Sequence, residues 1–189
     1  MYPFTAIDLI YSNLVTIKMD VKEFTLINVG RFSRINVQLA PITNQGIPFP
    51  YHCDPTEERD TNITVFIGNN GAGKTSLLTA LATSLSWFVA RVRREKGNGT
   101  PISEGDIKNG TSFAKIVISV LYDYYDSDDL DAQTIDWTLV KTKKGRKSKE
   151  QSSLSFATHV ADQYRDALTD NAQASLPFIA FYPVERSVL

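Results

Sequence analysis

The chain has 189 residues, 42% apolar and 22% charged, with a formal net charge of -1 and one cysteine, Cys53. That balance fits a globular chain with one sizeable core or two small ones and excludes a disordered one. It also excludes a whole-chain electrostatic argument for nucleic acid, an internal disulfide framework, and a membrane span or secretory signal; a reducing cytosol suits the lone thiol.

Residues 1–20 are mixed in character and are expected as a helix or an ordered arm, with a poorly tied terminus as the alternative. Residues 24–29 and 35–39 have strand composition, and Gly30-Arg31-Phe32-Ser33 between them suits a tight hairpin connection. Residues 41–60, with Pro, Gly, Asn and charge, read as a loop. Ile63-Thr-Val-Phe-Ile67 is a β-branched apolar run expected as a buried strand. From Ser76 to Lys96 the apolar residues Leu77, Leu78, Leu81, Leu85, Phe88, Val89 and Val92 fall on one face of a helix. Residues 97–110 read as a second loop. Residues 113–125 and 134–141 alternate as strands, and the acidic stretch 126–131 between them predicts a hairpin with an acidic tip. A basic tip follows at 141–149. Residues 152–169 repeat apolar positions at helical spacing, through Leu154, Ala157, Val160, Ala161, Tyr164 and Leu168. Residues 178–182 read as a buried strand that ends at Pro183.

Between the strand at 63–67 and the helix lies Gly68-Asn-Asn-Gly-Ala-Gly-Lys-Thr75, a complete G-x-x-x-x-G-K-[ST] phosphate loop. Gly68, Gly71 and Gly73 let the backbone turn tightly and bring its N–H groups against phosphate oxygens. The expected shell is Asn69, Asn70, Gly71, Ala72, Gly73, Lys74, Thr75 and Ser76. Lys74, the candidate catalytic residue, brings a point charge to the β and γ phosphates, and the Thr75 hydroxyl is the candidate Mg²⁺ ligand. The helix N-terminus adds its partial positive charge. ATP with Mg²⁺ is the ligand this predicts.

Hydrolysis also needs a carboxylate at the end of an apolar strand. Val120-Leu-Tyr-Asp123 is one candidate, but polar alternation at Lys115 and Ser119 suits an antiparallel strand running into a solvated turn better. Phe178 to Glu185 is broken by Pro183. The expectation is an N-terminal portion of a longer protein, with the catalytic carboxylates beyond Leu189.

Asn28-Val-Gly-Arg31-Phe32, a strand, then the loop with Asn70 at its centre and Ser76-Leu77-Leu78 after it resembles the start of SMC, RecF and OLD-like ABC-type (AAA) ATPases. Phe181-Tyr-Pro-Val-Glu-Arg186 resembles a segment of ATPases from antiphage systems of the Septu and retron-linked type. The resemblance implies an α/β P-loop NTPase fold: lobe I of an ABC-type head, with a mixed sheet and an antiparallel β-subdomain, occupying residues 1–189. It implies a homodimer of ATP-bridged heads, a fragment inactive alone, and a DNA- or RNA-directed process such as antiphage defence or DNA repair, with a nuclease or other effector as partner. It places Arg31 near the phosphates or ribose, the alternative being a surface arginine in a turn, and Gln133 as a Mg²⁺ contact. Arg186 would belong to an inter-lobe surface or flank a strand. No Leu-Ser-Gly-Gly-like signature occurs in the chain. The alternatives are another P-loop class, a small-molecule kinase or AAA+ module, and a non-hydrolysing nucleotide-binding nucleic-acid scaffold.

Two charged runs remain. Lys141 to Lys149 holds six cations in nine residues and could touch DNA or RNA, or be a solvated loop. Arg91, Arg93, Arg94 and Lys96 suit a helix C-terminus without a ligand. The acidic stretch lacks a calcium-loop pattern, and Cys53 beside His52 offers too few ligands for zinc.

Overall fold

The computed structural model describes residues 17–40, 63–124 and 133–182. The expectations for residues 1–16, the loop at 41–60 with His52 and Cys53, the acidic tip and the segment from Pro183 to Leu189 lie outside them.

Four strands, β1 (Ile17–Val29), β2 (Phe32–Gln38), β3 (Phe113–Tyr124) and β4 (Gln133–Thr142), form one antiparallel sheet in the order β2-β1-β3-β4. Period-two alternation sets its buried face. Ala114, Ile116, Ile118, Val120 and Tyr122 of β3 are buried together with Ile135, Trp137 and Leu139 of β4. β1 keeps the same face only by a change of phase. Its register against β3 shifts between Val21 and Glu23, so Lys22 is an extra residue. Before the shift Ile17 points into the core; after it Phe24 and Leu26 do. The carbonyl of Lys22 is not left idle: it accepts from Leu39 N at 2.9 Å.

Two helices complete the fold, α1 (Lys74–Arg93) and α2 (Ser155–Asp170). Leu77, Ala80, Ser84 and Phe88 make the buried stripe of α1, and Ala157, Val160, Ala161 and Tyr164 that of α2. Phe88 and Tyr164 meet edge to face with centroids 5.7 Å apart. Trp137 reaches from the sheet to donate its indole N–H to Ser84 O at 3.2 Å, which ties β4 to α1. By length and composition α1 could cross a membrane. Here it is a core helix whose apolar stripe faces sheet and α2.

Tyr164 is 1% exposed and its hydroxyl donates to Ile17 O at 3.3 Å. Burial raises its phenol well above the usual range, and Asp20 adds to the shift. A raised acidic pKa in the fold means stability that is full below the unfolded value, about 10, and is lost as pH rises beyond it. Tyr164→Phe should cost about 0.5–1.5 kcal/mol at pH 8. In urea titrations at rising pH the variant should lack the alkaline loss that the parent shows above pH ~10; parallel curves would contradict this.

The fold is α/β and the expected antiparallel β-subdomain is present; of the mixed sheet expected with it no parallel pairing occurs among the described residues, where every strand pairing is antiparallel. Two expected buried strands do not form. Residues 63–67 pair with no strand among the described residues, and Ile67 is 93% exposed. Residues 178–182 are likewise unpaired, with Phe178 91% exposed. An apolar run becomes a buried strand only when a neighbour supplies a ladder, and neither segment joins the outer edge of β2 or β4. Each instead lies along α1. Phe66 lines a cleft with Leu78 and Leu81, and Ile179 and Phe181 line another with Leu85 and Val89.

Candidate nucleotide site at the phosphate loop

The loop closes on itself before the helix begins. Gly71 has φ 78° and Gly73 φ 99°, both in the left-handed region that L side chains avoid. Ala72 N donates to Asn69 O at 3.1 Å, and Gly73 O accepts from Leu77 N at 3.0 Å as the first bond of α1. Gly73 is the N-cap and offers no side chain; the first turn of α1 holds no acidic residue. The leading amides of the helix therefore have neither a cap oxygen nor a carboxylate to satisfy them, which is how an anion site at a helix start is built.

Lys74 folds back over the loop, donating to Gly68 O at 2.6 Å and Asn69 O at 3.0 Å. Its ammonium is thus held directly above the turn. Asn69 and Asn70 are exposed at the turn, and Ala72 is half-buried beneath it. Thr75 is exposed on α1. With Ser76, Thr79, Val29 and Asp106 it lines a cleft of about 180 Å³.

The turn between β1 and β2 leans on this loop. Arg31 donates from Nη1 to Gly71 O. A Cβ on Gly73 would lie 2.5 Å from Phe32 Cζ and 3.1 Å from Arg31 Cδ, so the hairpin tip and the loop are in van der Waals contact. The structure brings Arg31 to the phosphate loop, where the sequence left it between that place and a plain surface turn.

Two contributors escaped the sequence reading. Lys108 Nζ donates to Ser33 Oγ at 2.6 Å and to Arg31 O at 3.2 Å, while its own N–H bonds Asn28 O at 2.9 Å. Asp106 O accepts from Gly30 N at 2.7 Å. Both belong to the segment read as loop 97–110, whose Ile107 bridges Val29. Asn28 and Gly30 of this turn have positive φ, 56° and 55°.

Other candidates lie elsewhere. Gln133 pairs with Tyr122, at the end of the β3–β4 ladder far from the Phe113–Thr142 end, whereas the β1–β2 turn adjoins the latter. The Mg²⁺ role implied for it is therefore corrected: antiparallel pairing sends β4 away from the loop at that point. Asp123 lies at the same far end of β3, paired with Lys18, in the antiparallel setting expected of it.

A protein-family model described as an AAA domain matches residues 24–188, most of the chain. The chain belongs to the AAA domain family. This AAA domain is 29% identical over 126 residues to the Retron Ec83 probable ATPase of Escherichia coli, covering 67% of the chain and 22% of that protein. It is 27% identical over 134 residues to the Retron Vc95 probable ATPase of Vibrio cholerae serotype O1 biovar El Tor, covering 68% and 24%. The chain thus spans about a quarter of the length of these curated relatives. The family match agrees with the resemblance to AAA-type ATPases, and the retron ATPases are relatives to which the chain is similar.

Proposed function

We propose that this AAA domain binds ATP with Mg²⁺ and that the protein to which it belongs hydrolyses it. The observation that carries this reading is the glycine-capped start of α1, with its first-turn amides uncapped and the Lys74 ammonium held over the turn. Lys74 would exchange the two carbonyls it donates to for β and γ phosphate oxygens, and the first-turn amides would donate to the remaining lone pairs. The Thr75 hydroxyl and the Asp106 carboxylate line one cleft, an oxygen donor set that suits Mg²⁺, which would neutralise phosphate charge when bound. Arg31, already against Gly71 O, is placed to turn its guanidinium onto a phosphate.

In this reading ATP bridges two heads of a homodimer, and the cycle drives a DNA- or RNA-directed process in the cytoplasm through a nuclease or other effector. The relatives are retron ATPases, and in this reading the process is antiphage defence before DNA repair. Calorimetry of ATP binding with Mg²⁺ and with excess chelator tests the site. Affinity should be higher with Mg²⁺, and Thr75→Ala should narrow that gap by roughly fivefold, about 1 kcal/mol for one lost hydroxyl contact. An equal gap in parent and variant would remove Thr75 from the metal shell, and no ATP binding in the parent would end the reading.

A further inference from the structure

The basic run is a tip, as expected: the chain turns after β4 and returns antiparallel beside it, with Thr138 bridged to Ser153. Its first half borders a second cleft of about 400 Å³, lined by Asn28, Thr111, Ser112, Phe113, Lys143 and Arg146. That volume lies within the range of small-ligand sites, about 300–1,000 Å³. The walls are set by backbone bonds: Lys143 N donates to Ser112 O at 2.8 Å, and Arg146 N to Lys143 O at 3.0 Å through a turn at Gly145 with φ 77°. Both cationic side chains are exposed, and neither forms an ion pair among the described residues, where the pairs are Lys115–Glu150 and Arg165–Asp162. The Glu104 carboxylate accepts from Lys144 N and contributes no lining. Phe113 is half-buried and offers an aromatic wall.

Two unpaired cations fit a phosphodiester, and an aromatic ring beside them fits an unstacked base. A duplex keeps its bases stacked and would leave Phe113 unused. We infer that this cleft holds one nucleotide of a single-stranded nucleic acid, phosphate against Lys143 and Arg146 and base against Phe113. The inference deepens the nucleic-acid part of the proposed function and stands apart from the phosphate loop. Asn28 nevertheless joins the two, since it lines this cleft and begins the turn that carries Arg31 to Gly71.

The test is fluorescence anisotropy of the chain with labelled oligo-dT, oligo-rU and a DNA duplex over a range of salt. Either single strand should bind at least fivefold more tightly than the duplex, and the preferred one identifies the source. Lys143→Ala with Arg146→Ala should weaken it tenfold or more and flatten log K against log salt by about 0.7 per phosphate lost. Phe113→Leu should weaken it about fivefold with the salt slope unchanged. Lys147→Ala with Lys149→Ala, off the cleft, should change affinity less than threefold. The inference is overturned if the parent binds no single strand, if the duplex binds as tightly, or if the two double variants lose equally. ATP binding by the same variants should stay at the parent value, so a failure at the phosphate loop shows separately.

Discussion

Lys74→Ala is expected to weaken ATP binding by about 10- to 150-fold, or to abolish it in calorimetry. Loss of one charge-assisted donor is worth about 1.5–3 kcal/mol, and each 1.4 kcal/mol is tenfold in affinity. The lower bound is conservative here, because Lys74 also restrains the loop through its bonds to Gly68 O and Asn69 O. Without it those carbonyls face the incoming phosphates with nothing between. The fold itself should not suffer. Lys74 opens α1, alanine is the best helix former, and the lost bonds lie on an exposed loop. Urea unfolding of the variant should match the parent to within about 0.5 kcal/mol. Lys74→Arg should not restore binding, since a planar guanidinium cannot occupy the place of a compact ammonium between two carbonyls. An affinity within twofold of the parent in either variant would remove Lys74 from the site.

The site was legible where its chemistry is local, and the fold where its periodicity is. Gly68 to Thr75 declares a phosphate loop because the glycines, the lysine and the hydroxyl act within eight consecutive positions. Alternation from Ala114 to Tyr122 gave β3 and its buried face for the same reason. What the residues could not declare is who stands next to them. Nothing at Lys22 announces that β1 carries an extra residue there, because the bulge is needed only to keep Ile17 and Phe24 on one face of a sheet that β3 builds. Lys108 looks like any loop lysine until Val29 and Ile107 bridge and bring it under Arg31. Gln133 lies at a plausible distance along the chain from the loop, yet distance along the chain says nothing once a strand runs antiparallel. The error at residues 63–67 and 178–182 is of the same kind. Their apolar content is real, but burial belongs to a strand and its neighbours jointly, and the four paired strands here are complete without them.

Gly73→Ala should damage both stability and ATP binding, because the added methyl meets two separate obstacles. The first is conformational: φ 99° holds the cap of α1 in a region that an L residue enters at a cost of about 1–3 kcal/mol. The second is spatial, since the new carbon would lie 2.5 Å from Cζ and 2.7 Å from Cε2 of Phe32, and overpacking of that kind costs about 1–3 kcal/mol more. The two can be separated. Gly71→Ala carries a similar φ of 78° but has nothing within 4 Å of its Cβ, so it should show the conformational part alone. Phe32→Leu removes the far end of the ring, so adding Gly73→Ala in that background should cost less than in the parent, by most of the overpacking part. Urea unfolding of the parent and the four variants gives the stabilities, and ATP calorimetry reads the consequence. If the ring yields by swinging away, it takes the β1–β2 tip with it, and Arg31 loses its contact with Gly71 O. ATP affinity should then fall in Gly73→Ala further than in Gly71→Ala. Equal losses in the two alanine variants would mean that the hairpin tip does not press on the loop, and that Arg31 reaches it by chance of rotamer only.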